Sequence, residues 1–185
     1  MQKIIAFGAS NSPESINKQL AVYTANQIQG AEVQVLDLID FDLPVYGRAI
    51  EQLHGIPKAA QNFAEHIASA DALVISLAEH NGLFTAAFKN LWDWMSRLGN
   101  MKIWNNKNIF LLATSPGARS ERYVMKVALD LFPLFGGQVV ANFTLPSFYQ
   151  NFQNNEIIDD KLREQFQQQL NQFQAVLNVE AVESI

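Results

Sequence analysis

The sequence predicts a doubly wound α/β fold of three layers, with a five-stranded parallel sheet in the order 2-1-3-4-5 held between helices. Three observations carry that prediction. Short, almost wholly apolar segments recur along the chain, as in KIIAF (3–7), ALVISL (72–77) and NIFLLA (108–113). Strands of that composition are buried on both faces, which is how a parallel sheet covered by helices reads. The segments between them carry apolar residues at helical spacing. Strand and helix alternate five times over, the pattern of an α/β sheet.

Each element has its own justification. Residues 3–7 form the first strand and end at Gly8. Residues 16–28 form a helix through Leu20, Ala21, Thr24, Ala25 and Ile28, and Gly30 closes it, as a glycine beyond a helix end should. Residues 32–36 (EVQVL) alternate and form the second strand. Residues 41–47 (FDLPVYG) hold Pro44 and Gly47 and form a loop. Pro57 opens a helix that runs to about Ser69, since proline is tolerated in the first turn. Residues 72–77 form the third strand, with no polar face expected. Residues 84–98 form the clearest helix, with Phe84, Phe88, Leu91, Trp92, Met95 and Leu98 on one stripe and Lys89, Asp93 and Arg97 opposite. Residues 108–113 form the fourth strand, and a helix follows from about Glu121 to Pro133. Gly136 and Gly137 turn the chain into a fifth strand, 138–143. A last helix, 161–177, turns Leu162, Phe166, Leu170, Phe173 and Leu177 inward, and its many glutamines read as a solvated face. No linker or internal repeat interrupts the chain, so residues 1–185 are expected to form a single domain.

Composition narrows the function. The 185 residues carry a formal net charge of −5. That balance opposes a nucleic-acid partner, whose phosphates demand a basic face. It also opposes docking on anionic lipid. No apolar run approaches the about 18 residues of a membrane span. The first ten residues, MQKIIAFGAS, are interrupted too soon for a secretory signal, and the cytoplasm is the expected location. The absence of cysteine excludes disulfides, thiolate metal sites and a cysteine nucleophile.

Doubly wound sheets bind ligands beyond the carboxyl ends of their strands. Three loops meet there. The first, 9–17, offers hydroxyls from Ser10, Ser12 and Ser15 and amides from Asn11 and Asn17, just before a helix start. Unpaired N–H groups and the helix dipole favour an anion at such a place. Capping of the helix by Ser15 or Asn17 accounts for the same residues equally well. The loop matches neither GxGxxG nor GxxxxGK[ST], so neither dinucleotide binding of the Rossmann type nor a P-loop is expected. The second loop, AEHNG (78–82), sets Glu79, His80 and Asn81 beside Gly82, where a backbone can approach a flat ligand. No second histidine stands at ligand spacing, because His54 and His66 belong to other elements, so no metal is expected. Side-chain hydrogen bonds of Glu79 and Asn81 that merely hold the loop are the alternative. The third loop, TSPGARS (114–120), turns at Pro116-Gly117 and carries Arg119, either a phosphate contact or a plain surface arginine.

Taken in order, these segments resemble the NADPH-dependent FMN reductase family, a flavodoxin-like group that includes quinone, azo-dye and chromate reductases. The resemblance rests on Ser15-Ile16-Asn17 before the first helix, on residues 70–82 (ADALVISLAEHNG), on the Ser-Pro-Gly turn at 115–117, and on FKNLWDW at 88–94. It spans the chain to about residue 145. The chain departs from the family pattern at Asn11–Glu14, where an arginine is usual, at AEHN in place of PEYN, and at Leu83 in place of a serine. The resemblance implies FMN, its phosphate at Ser10, Ser15, Ile16 and Asn17, with Ser12 beside them. It implies ring contacts from Glu79, His80, Asn81 and Gly82, and from Ser115 and Gly117 on the other side. It implies NADPH or NADH as cosubstrate, a quinone, azo compound or free flavin as acceptor, and a homodimer or a tetramer of dimers. The 43–48 loop would then reach the neighbouring site, and Trp94, off the core stripe, would seal a subunit contact. No catalytic side chain is needed, because a flavin carries the chemistry itself. The other readings are a flavodoxin-type electron carrier without small-molecule turnover, and a scaffold that has lost its flavin.

Overall fold

The computed structural model describes residues 1–99, 102–118 and 122–183. In chain order it comprises β1 (Gln2–Ala9), α1 (Ile16–Asn26), β2 (Ala31–Leu36), α2 (Arg48–His54), α3 (Lys58–Ser69) and β3 (Ala72–Leu77). A small hairpin, β4 (Glu79–His80) and β5 (Leu83–Phe84), leads to α4 (Ala86–Met95), β6 (Asn108–Thr114), α5 (Arg122–Leu134) and β7 (Gln138–Leu145). The chain ends with α6 (Phe148–Asn151), a second hairpin β8 (Phe152–Gln153) and β9 (Glu156–Ile157), and α7 (Asp160–Glu183). The main sheet has five strands in the order β2-β1-β3-β6-β7, every pair parallel. That is the expected 2-1-3-4-5 arrangement once the small hairpins take their own numbers.

Alternation along each strand divides the core in two. Ile5 and Phe7 of β1 and Leu73 and Ile75 of β3 face α3, α4 and α5 through Phe63, Phe88, Leu91, Val124 and Phe132. Ile4 and Ala6, with Val74, Phe110 and Leu112, face α1 and α7 through Leu20, Ala21, Phe166, Leu170 and Phe173. Trp92, expected on the core stripe, sits at the centre of an aromatic cluster with Phe84, Trp104, Phe132 and Phe135. The Trp104 and Phe132 rings stack at 4.7 Å. Gly8 lets α1 lie directly on β1: a Cβ there would stand 2.4 Å from the Lys18 backbone nitrogen.

The structure revises several expectations. The helix expected from residue 84 begins at Ala86, because Asn81-Gly82 makes a two-residue hairpin turn that takes Leu83 and Phe84 into β5. Both turn residues have positive φ, 55° and 85°, as an Asn-Gly turn of type I′ requires. Arg97 does not extend the Lys89–Asp93 pair; it reaches Glu51 of α2 at 3.1 Å. Trp94 seals no subunit contact, because it is fully buried within the chain and its Nε1 donates to the Pro44 carbonyl at 2.7 Å. Asn90 also holds that segment, accepting from the Tyr46 backbone N–H at 2.8 Å and donating to the Pro44 carbonyl at 3.0 Å. The 43–48 loop is thus fastened to α4 before any neighbour is considered.

The glutamine face of α7 is not simply solvated. Gln169 Oε1 accepts from the Asn142 backbone N–H at 2.9 Å, and Gln172 Nε2 donates to the Val140 carbonyl at 2.7 Å. Both backbone groups lie on the outer edge of β7, the terminal strand of the sheet. The side chains satisfy edge groups that would otherwise be open to another strand.

Candidate functional site

The carboxyl ends of β1, β3 and β6 open onto a cavity of about 240 Å³. Ser10, Ser12, Ser15, Ile16, Asn17, Glu79 and His80 line it together, from two loops separated by 60 residues of chain or more, and Thr114, Pro116 and Tyr149 complete the wall. Asn81 and Gly82 face a neighbouring hollow against α5. Ser115 and Gly117 line neither. Their carbonyls accept from the Phe148 and Ser147 backbone N–H groups, both at 2.8 Å, so this turn braces the segment that presents Tyr149. Arg119 lies outside the described residues.

The first loop folds on its own hydroxyls. Ser10 Oγ accepts from the Ser12 backbone N–H at 3.2 Å. Ser15 caps α1, its Oγ accepting from the Lys18 N–H at 3.1 Å. Capping leaves work undone at the helix start. Among the described residues, the backbone N–H groups of Ile16 and Asn17 have no hydrogen-bond partner. Such orphan donors at a helix N-terminus, with serine hydroxyls beside them, match a phosphate group without any arginine. The cap and the anion cradle, set out above as alternatives, are therefore compatible: one serine does the capping while two backbone donors stay available.

Asn17 has a further role. Its carboxamide is buried and engaged inside the protein. Oδ1 accepts from Ser76 Oγ at 2.8 Å and from the Thr114 N–H at 3.1 Å, and Nδ2 donates to the Thr114 carbonyl at 3.1 Å. The side chain locks α1 to the ends of β3 and β6, so the residue is placed to meet a ligand through its backbone. Ser76 escaped the sequence reading, although it is the one hydroxyl in an apolar strand and a buried hydroxyl needs a partner, and Thr114 entered that reading only as the first residue of the third loop. Thr85 escaped it too. It is buried, its Oγ1 donates to the Ala9 carbonyl at 2.9 Å, and it accepts from the Phe88 N–H at 3.2 Å, capping α4. A threonine near a helix start is itself a cap signal, hidden here because the apolar stripe begins one residue earlier, at Phe84.

Glu79 Oε2 accepts from the Val124 backbone N–H at 2.9 Å. Its carboxylate stands at the N-terminus of α5, where negative charge is favourable, and ties the β4–β5 hairpin to that helix. Near the 43–48 loop, Arg97 holds the Glu51 carboxyl below the usual range by hydrogen bonding, assisted by the Tyr46 hydroxyl, which donates to Glu51 Oε2 at 3.0 Å. The same hydrogen bond to Glu51 raises the Tyr46 phenol. Among the described residues, no group of three His, Asp or Glu side chains is arranged to hold a metal ion, and no helix is long and apolar enough to cross a membrane.

The chain is 30% identical over 151 residues to an NAD(P)H-dependent FMN reductase of Pseudomonas aeruginosa, covering 78% of each chain. It is 29% identical over 142 residues to a quinone reductase of Escherichia coli, covering 71% of this chain and 72% of that one. A solved NADH:FMN oxidoreductase superposes with a TM-score of 0.72 at 17% identity, over 95% of this chain and 90% of the other. A flavoenzyme NAD(P)H:acceptor oxidoreductase of Paracoccus denitrificans does so at 0.68 and 19%, over 95% and 98%. These two structures share the fold. Residues 2–151 match the family of NADPH-dependent FMN reductases, and the chain belongs to that family.

Proposed function

We propose that the protein is an FMN-dependent NAD(P)H oxidoreductase that reduces quinones, azo compounds, free flavin or similar small acceptors. The observation that carries this reading is the pair of unpartnered N–H groups of Ile16 and Asn17 at the mouth of the 240 Å³ cavity, walled by the Glu79–His80 strand. FMN, when bound, supplies the chemistry, accepting hydride from the nicotinamide and passing electrons to the acceptor. The protein's own residues bind and orient. Ile16 and Asn17 would hold the phosphate through their backbone, with Ser10, Ser12 and Ser15 around it. The β4–β5 hairpin, stiffened by its Asn81-Gly82 turn and by the Glu79–Val124 hydrogen bond, would set the plane of the ring on one side. Ser115 and Gly117 would shape the other side by bracing Tyr149 and Pro116. No side chain is nominated as acid or base.

Residues 1–185 would act as one domain, in the cytoplasm, as a homodimer or a tetramer of dimers. Exposed Val45 and Leu53, 80% and 76% accessible, support an apolar contact on the face that carries the 43–48 loop. The test is an absorption spectrum and a fluorescence titration with FMN, followed by NAD(P)H oxidation with a quinone acceptor. Binding and turnover are expected. Absence of FMN binding overturns the reading, and binding without turnover makes the protein an electron carrier. Sedimentation at micromolar concentration checks the assembly, and a monomer would refute it.

A further inference from the structure

We propose that the hollow between the β4–β5 hairpin and α5 receives the adenosine-phosphate end of the pyridine nucleotide, with Tyr123 and Lys126 as its contacts. The proposal rests on the oxidoreductase reading above and adds a location to it. The hollow is about 710 Å³ and is lined by Glu79, Asn81, Gly82, Tyr123, Lys126 and Asp130, with Val127 behind. Its size falls within the about 300–1,000 Å³ of small-molecule sites. Glu79 lines both this hollow and the 240 Å³ cavity, so the hairpin is the wall between them. A nucleotide that presents its nicotinamide beside the hairpin needs room for its remaining length within reach, and this hollow adjoins that place.

Its surface chemistry suits a flat base joined to a phosphate. Tyr123 is 67% exposed although it stands on a well-anchored helix whose Val124 N–H is held by Glu79. Beside it lies Gly82: a Cβ there would stand 3.9 Å from the Tyr123 Cβ, which puts the hairpin turn against the base of the Tyr123 side chain. An exposed aromatic ring beside the hairpin turn offers a face on which a purine can stack. One turn along α5, Lys126 is exposed and, among the described residues, enters no ion pair. By contrast Lys18, Lys89 and Arg97 are paired with Asp37, Asp93 and Glu51. In a chain with net charge −5, an unpaired lysine next to the site is a specific attraction for phosphate. The two nearby carboxylates differ in consequence. Glu79 is engaged by the Val124 N–H, whereas Asp130 stands one turn beyond Lys126 on α5.

The test uses the FMN-loaded protein with Lys126→Glu and Tyr123→Ala variants. The KM for NADPH and NADH should rise by about tenfold in each, the loss expected for one charge-assisted or stacking contact, while kcat and the quinone KM hold. ADP-ribose should compete with the nucleotide and quench intrinsic fluorescence of the wild-type chain, and should do both more weakly with Lys126→Glu. A rise in the quinone KM alone would make the hollow an acceptor site and overturn the proposal. Dissociation of an oligomer by either variant, with nucleotide kinetics unchanged, would make it a subunit contact and overturn it equally. If the wild-type protein binds FMN and oxidises NAD(P)H but neither variant shifts the nucleotide KM, the proposal fails and the oxidoreductase reading stands. If the wild-type protein does neither, both fail together.

Discussion

Ser76 Oγ donates to Asn17 Oδ1 at 2.8 Å, joining a strand and a helix that lie 59 residues apart in sequence. With the two hydrogen bonds to Thr114, this contact fixes the start of α1 against the ends of β3 and β6. The unpartnered N–H groups of Ile16 and Asn17 take their direction from that lock. A single buried carboxamide therefore links stability to the geometry of the anion cradle.

Asn17→Ala should lower the unfolding free energy by about 3 kcal/mol, since each buried group left unpaired costs about 1–3 kcal/mol. Ser76→Ala, which leaves Asn17 its two bonds to Thr114, should cost only about 1 kcal/mol. Urea denaturation measures both. FMN affinity, read by fluorescence titration, should fall with Asn17→Ala by more than with Ser76→Ala. Equal losses of affinity would show that the carboxamide does not orient the cradle.

Gly8 makes a second prediction of the same kind. A Cβ at this position would lie 2.4 Å from the Lys18 nitrogen and 2.8 Å from its Cα, so α1 must shift away from β1. Gly8→Ala should cost about 1–3 kcal/mol by overpacking. Because the obstacle is backbone rather than a flexible side chain, no rotamer change relieves it. Melting followed with and without FMN should show a lower midpoint and a smaller increment on adding FMN. An unchanged increment would place the shift elsewhere.

The layering was legible in the sequence because fully apolar strands such as 72–77 and striped helices such as that of Phe88, Leu91, Trp92 and Met95 report burial directly. The loops of the site were legible by position, at the ends of the first, third and fourth strands. Their detailed roles were not. Asn17 carries a donor and an acceptor, and nothing local says that both point inward to Ser76 and Thr114. The Asn81-Gly82 pair did carry a hairpin signal, but the aromatic stripe beginning at Phe84 concealed it by starting the apparent helix two residues too early. Trp94 misled for a related reason. Being off the core stripe of α4 exposes a side chain only where nothing else covers it, and the Pro44–Tyr46 segment packs there from 50 residues away.

The Glu51 cluster predicts a pH response. Hydrogen bonding from Arg97 lowers the Glu51 pKa in the folded protein. Its contribution to stability is present above the unfolded value of about 4.3 and is lost as pH falls through the lowered folded value. Carboxyl titration by NMR should find Glu51 below the ordinary glutamate value, and Arg97→Ala should return it upward. Below that titration the amides around Tyr46 should exchange faster, because the phenol loses its carboxylate partner. A Glu51 that titrates at or above the ordinary glutamate value would refute the pairing.

The glutamines of α7 predict how the chain avoids its own edge. Gln169 and Gln172 satisfy the Asn142 N–H and the Val140 carbonyl on the open side of β7. Removing both leaves two adjacent edge groups free, one donor and one acceptor, which is the arrangement another strand pairs with. Each lost hydrogen bond costs about 1 kcal/mol, so Gln169→Ala with Gln172→Ala should still fold. Its aggregation on warming, followed by light scattering at matched distance below the melting midpoint, should be faster than that of the wild-type chain. Lysine at the same two positions should suppress aggregation without restoring the hydrogen bonds, because charge on an edge repels an approaching strand. Equal aggregation rates in the alanine variant and the wild type would show that α7 shields the edge by its bulk alone, and that the two side chains act only locally.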